Sequence, residues 1–230
     1  EGGGGVVELV ALGGVGARQQ QARPGLLIGV GQRRADPAEC QRSAPMAGDD
    51  QPRIAVYGAG ALGAYFGGKL ASAGADVQLI ARGNQLAALQ ADPLRVKSLN
   101  GDFETPIRTT DEPAEIGPCD AVIVCVKAYH MEQVAAALGP LIGEDTAVVP
   151  VQHGILHIET LQQASGPGRV LGGAAVLFAS VPEPGLVVHS AGPGAITFGE
   201  LEGRISERAD RHASALRDSG IPTAPVSKSH

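Results

Sequence analysis

A chain of 230 residues with 43% hydrophobic content can bury a proper core in one large or two small domains. Aromatic residues are only 3% with no Trp, which argues against a base- or sugar-stacking cleft, and a net charge of −6 argues against nucleic acid as a main partner. No apolar run approaches the roughly 18 residues a membrane span needs, and Glu1 followed by glycines lacks the basic start of a signal peptide.

Residues 1 to 50 read differently from the rest. Gly2 to Gly5, the Gln19-Gln20-Gln21 tract and scattered Arg and Pro show neither strand nor helix periodicity. This stretch is expected to be a disordered or non-native extension, with the functional protein starting at Met46. Within it, Leu26-Leu27-Ile28 runs into Gly29-Val30-Gly31, but a third glycine and a following helix are missing, so no nucleotide site is assigned there.

The organising stretch begins at Arg53. A short apolar run to Tyr57 empties into Gly58-Ala59-Gly60-Ala61-Leu62-Gly63, a G-x-G-x-x-G, and a helix-favouring run follows to Gly74. Strand, glycine turn and helix in that order form the dinucleotide-binding fingerprint. Gly58 permits the tight turn, Gly60 leaves room for a pyrophosphate, and Gly63 with Gly67 lets the helix lie close to the sheet. The helix's free amides and positive dipole end would then hold the phosphates.

From there strands and helices alternate, the pattern of a Rossmann-like, doubly wound α/β fold with a mostly parallel sheet. The spacing predicts a second strand over Asp76 to Ala81 and a short helix over Asn84 to Gln90. Leu94 to Leu99 and Phe103 to Thr109 flank Asn100-Gly101, a hairpin signal, and read as an insertion before the next sheet strand. Asp120 to Val126 is continuously apolar, as a strand buried on both faces should be. Met131, Val134, Ala135 and Leu138 give one apolar helix face, Thr146 to Val151 another buried strand, and His157 to Gln163 a short helix. Arg169 to Ser180 predicts a strand. Leu186 to His189 and Ala195 to Gly199 predict a hairpin across Gly192-Pro193-Gly194. Ile205, Ala209, His212, Ala213 and Leu216 mark an amphipathic helix closed by Gly220, before a last strand over Ile221 to Val226. Cys40, Cys119 and Cys125 have no framework spacing, which fits a reducing cytoplasm, and Cys119 and Cys125, at either end of a predicted buried strand, read as packing.

Past the second strand an NAD-specific site would place an acid for the ribose 2′-hydroxyl. Here the strand ends Leu79-Ile80-Ala81-Arg82-Gly83-Asn84, without one. A guanidinium at Arg82 suits the 2′-phosphate of NADP; the plainer alternative is a solvated surface arginine.

Several segments together go further than the fingerprint: Arg53 to Gly63, the D-V-Q-L-I-A-R-G from Asp76, the V-C-V-K-A-Y from Val124, the V-Q-H-G-I from Val151 and the I-T-F-G-E from Ile196. Over roughly Arg53 to Val226 the chain resembles the ketopantoate reductase (2-dehydropantoate 2-reductase) family. The resemblance implies an NADP-binding Rossmann domain over 51–226 and, beyond it, a helical domain of which residues 227–230 would be the truncated start. It implies NADPH-dependent reduction of ketopantoate to pantoate, toward pantothenate and coenzyme A, in the cytoplasm. The expected partner is a small 2-oxo acid, with neither nucleic acid nor membrane, and a homodimer stays open.

By resemblance, Gly58, Ala59, Gly60, Ala61, Leu62 and Gly63 contact the pyrophosphate and Arg82 the 2′-phosphate. Lys127 matches a family lysine lining the cofactor and substrate cleft; read without the family, it is a charge ending a buried strand. His153 stands where the family has an Asn touching nicotinamide and substrate, so Lys127 and His153 are both cofactor contacts and the catalytic candidates. The change from amide to imidazole puts normal substrate placement in doubt. Ala179 falls near a family alanine packed on the cofactor, and Glu200 reads as structural. His153 and His157 have the spacing of zinc ligands, but Gly154 stands where a metalloprotease carries Glu, and no metal site is assigned. The family's catalytic lysine and a substrate-holding glutamate would lie beyond this chain, so weak or absent turnover is expected. The rival readings are a non-catalytic NADP-binding module, an inactive fragment, and a reductase of another small 2-oxo acid.

Overall fold

The computed structural model describes residues 51–152, 156–204 and 206–225. The N-terminal stretch with its second glycine pair, Cys40 and Met46, together with His153, Ile205, Val226 and residues 227–230, lies outside the described residues. The elements begin with β1 (Ile54–Tyr57), α1 (Ala61–Ser72), β2 (Val77–Ile80), α2 (Gly83–Ala91), β3 (Leu94–Ser98), β4 (Phe103–Thr105) and β5 (Arg108–Thr110). They continue with β6 (Cys119–Val124), α3 (Met131–Ala137), β7 (Ile142–Pro150), α4 (Leu156–Ser165), β8 (Leu171–Glu183), β9 (Leu186–Glu200), α5 (Glu207–Asp218) and β10 (Thr223–Pro225).

All four residues of β1 are buried, because each face of the strand feeds a different core. Ile54 and Val56 pack in one cluster with Ala64, Phe66 and Leu70 of α1. Ala55 and Tyr57 belong to the opposite cluster, with Met131 and Val134 of α3 and Leu161 of α4. A strand covered on both faces has no polar side, which is why β1, and β6 from Ala121 onward, read as unbroken apolar runs. β1 pairs in parallel with β2 on one side and β6 on the other, and the full order is β5-β2-β1-β6-β7. The chain runs outward from β1 through β2 to β5, then returns to the other side of β1 for β6 and β7. The expected doubly wound parallel sheet is therefore present, with its order reversing between β1 and β6. Open α/β sheets bind ligands at the carboxyl ends of the strands beside such a reversal.

The rest of the strands form a second sheet, in the order β10-β9-β3-β4 with β8 paired to β9. The Asn100-Gly101 hairpin is there, β3 antiparallel to β4, but β3 pairs in parallel with β9 across a long stretch of sequence. The strand expected over Phe103 to Thr109 is divided. Pro106 cannot donate to a ladder, so β4 ends at Thr105 and β5 joins the first sheet beside β2.

The hairpin expected across Gly192-Pro193-Gly194 is absent: Leu186 to Glu200 is a single strand. The turn lies earlier, at Pro184-Gly185, where Glu183 pairs with Leu186 and Gly185 has φ +78°. Gly192 and Gly194 take φ +86° and +67° to absorb a bulge. There Val176 pairs with Ala195 and Phe178 with Ala191, so residues 192–194 stand opposite Leu177 alone. His189 holds the bulge. Its Nε2 lies 3.0 Å from the carbonyls of Ala191 and Gly192, which only accept, so Nε2 carries the proton. Nδ1 then accepts from the Ser98 hydroxyl at 2.9 Å.

Candidate functional site

β1 ends at Tyr57 and Gly58 turns the chain with φ +103°, in the left-handed region that glycine enters without strain. A methyl group there would stand 2.8 Å from Val126 Cγ1. At Gly63 it would stand 1.9 Å from the Gly58 carbonyl oxygen, and at Gly67 2.5 Å from Leu79 Cδ2. These two glycines let α1 press against the turn and β2. Gly60 differs, for nothing lies within 4 Å of its absent side chain. It is the N-cap of α1, its carbonyl accepting from Ala64 N at 2.9 Å. No side chain caps this helix and its first turn holds no acid. The amides of Ala61, Leu62 and Gly63 have no partner within the helix, so they and the positive dipole end are available to an anion.

A cleft of about 300 Å³ opens over this turn, with Gly58, Ala59 and Gly60 as its floor. Arg82 and Gln85 form one wall. Arg82 caps α2 and is exposed, and its Nη1 donates to Gln133 Oε1 at 3.2 Å. Gln85 Oε1 accepts from Gly185 N at 3.1 Å, which ties α2 to the turn between β8 and β9; Val181 of β8 completes this side. His130 and Val134 line the opposite wall.

The glycine turn and Arg82 are thus brought together in one cleft. Lys127 is exposed beside it, one residue beyond the lining Val126, and caps the short turn Ala128–His130. Ala179 is half-buried on β8, two residues before Val181 and on the same face of the strand. Neither Lys127 nor Ala179 lines the cleft itself. His153 lies outside the described residues. Its neighbour Gln152 donates through Nε2 to the carbonyls of Val124 at 2.7 Å and Val126 at 3.0 Å, pinning the end of β7 to the end of β6. Burial pushes the Cys125 thiol up to about 12, and with its Cβ 3.1 Å from a methyl group built on Gly63 it acts as packing beneath the turn.

The residues that sequence reasoning passed over are Gln85, His130, Gln133 and Val181. A signal for three of them was present. Gln85 follows Arg82 by three residues, and His130, Gln133 and Val134 share the three- and four-residue spacing of one helix face.

The open space at Gly60, the acid-free helix start and the guanidinium across the floor suit a phosphorylated dinucleotide. Comparison with known proteins agrees. Residues 54–203 match the family model described as ketopantoate reductase PanE/ApbA. The chain is 32% identical over 195 residues to a 2-dehydropantoate 2-reductase of Mesorhizobium japonicum, covering 76% of this chain and 59% of that one. It is 38% identical over 175 residues to the enzyme of the same name from Archaeoglobus fulgidus, covering 76% and 56%. Among solved structures, the 2-dehydropantoate 2-reductase of Geobacter metallireducens superposes with a TM-score of 0.70 at 35% identity, covering 76% of this chain and 57% of that one. The chain spans little more than half the length of these relatives.

Proposed function

The chain belongs to the ketopantoate reductase family, and from that premise we propose that residues 54–203 bind NADPH for the reduction of a small 2-oxo acid, ketopantoate first among them. The observation that carries this is the pairing of Gly60 with Arg82. Beside Gly60 there is backbone with no side chain above it, and Arg82 places a fixed positive charge on the wall of the same cleft. The glycine-turn amides would hold the pyrophosphate and Arg82 the 2′-phosphate, where a bidentate guanidinium gives charge-assisted hydrogen bonds. The bound nicotinamide supplies the hydride. Lys127 and His153 follow the carboxyl ends of β6 and β7, where they would meet nicotinamide and substrate. They are proposed to orient the 2-oxo acid rather than to protonate it.

A second reading is a nucleotide-binding module without turnover. It is favoured by one fact: the turn, Arg82 and the cleft are assembled together within residues 57–181. Ketopantoate-dependent oxidation of NADPH by the 230-residue chain separates the two. Arg82→Ala should weaken NADPH about tenfold or more and leave NADH nearly unchanged. A variant that loses both nucleotides equally would remove Arg82 from the 2′-phosphate.

A further inference from the structure

Arg82 does not stand free in the cleft. Its Nη1 donates to the side-chain oxygen of Gln133 at 3.2 Å. Arg82 follows β2 and Gln133 lies on α3 after β6, while β1 runs between those two strands in the sheet. The bond therefore crosses from one wall to the other above the glycine turn that follows β1.

Gln133 is held in place from below. Met131 and Val134 of α3 are buried in the core beneath it, and His130 and Val134 line the cleft on either side of it in the sequence. The amide itself is exposed, as is the guanidinium it holds. Between two exposed groups such a bond does little for folding; what it does is restrict a long, flexible arginine to one direction.

The chemistry of the amide matters. Gln133 offers Arg82 a neutral acceptor, so the guanidinium keeps its full charge and its remaining N–H groups for a dianion. A carboxylate there would hold Arg82 more tightly, cancel its charge and repel a phosphate.

We infer that Gln133 is a positioning residue that sets the preference of this cleft for NADP(H) over NAD(H), acting by orienting Arg82 without neutralising it. The inference rests on the cofactor reading above.

The test is calorimetric titration of the full chain and its variants with NADPH and with NADH. Gln133→Glu should lower the NADPH-to-NADH affinity ratio about tenfold or more, with NADH within about threefold of the original. Gln133→Leu should lower the ratio by a few fold, and should have no further effect once Arg82→Ala is present, because it works through that side chain. Melting temperatures should stay within about 2 °C of the unsubstituted chain, since the side chain is exposed. A ratio unmoved by Gln133→Glu, or a Gln133→Leu loss that persists without Arg82, would overturn the role of Gln133 while leaving nucleotide binding intact. An unsubstituted chain that binds neither nucleotide would overturn the cofactor reading and this inference with it.

Discussion

A methyl group would have opposite consequences at Gly60 and Gly63, three residues apart in one turn. At Gly63 it meets the Gly58 carbonyl oxygen at 1.9 Å, and backbone cannot yield as a side-chain tip can. Gly63→Ala should therefore cost stability, about 1–3 kcal/mol or more, read as a lower urea midpoint. At Gly60 the methyl meets nothing within 4 Å, so Gly60→Ala should fold as before. It should still weaken NADPH about tenfold, about 1.4 kcal/mol, because it fills the space a phosphate needs. Equal losses of stability from both variants would contradict this division. The glycines were legible in the sequence because their spacing is set by the turn itself. The Arg82–Gln133 pair was not, because it depends on two strands lying either side of a third.

Among the elements, α5 shows how a local motif is anchored from a distance. Ser206 caps the helix by accepting from Ala209 N at 3.2 Å and itself donates to Glu200 Oε1 at 2.5 Å. Glu200 also accepts from Arg208 Nε at 2.8 Å and Nη2 at 2.7 Å, and its side chain is 7% exposed. The structural role read for Glu200 from its motif has this physical content: it joins the end of β9 to the start of α5. The Arg208 hydrogen bonds hold its carboxyl below the usual 4.5, against the opposing effect of burial, with Ser206 adding to the depression. Because the folded value is the lower one, this stabilisation is present above pH 4.5 and is lost as pH falls through the folded value. Glu200→Gln should lower stability by about 2 kcal/mol at neutral pH, and the gap to the unsubstituted chain should close as urea melts are taken below pH 4.5. A gap independent of pH would mean that the pair contributes through shape alone. That β9 is one strand was not legible in the sequence, for a physical reason. Glycine with positive φ serves a turn and a bulge equally well, and only the pairing of Val176 with Ala195 and Phe178 with Ala191 tells them apart.

Across the whole molecule, the first sheet followed from alternation and continuous apolar runs, whereas the second sheet did not. Its parallel β3–β9 pairing joins Arg95 to Leu186, and nothing local in either segment announces the other. Yet that sheet builds part of the site: the turn it carries at Gly185 holds Gln85, and its β8 brings Val181 to the cleft. Its packing also closes the core on which β1 and α1 rest, with Phe198, Ile196 and Val187 buried in the same cluster as Ile54 and Val56. The floor of the cleft comes from one strand, one turn and one helix, the segment whose glycine spacing is legible in the sequence. The walls come from α2, α3 and β8, and so from the complete fold.

Calorimetric titration of the 230-residue chain with NADPH, with NADH as the control, decides whether this cleft holds a phosphorylated dinucleotide. NADPH should bind saturably at one site per chain, tighter than NADH by about tenfold or more through the 2′-phosphate and Arg82. No binding of NADPH, or an equal or greater affinity for NADH, would contradict it.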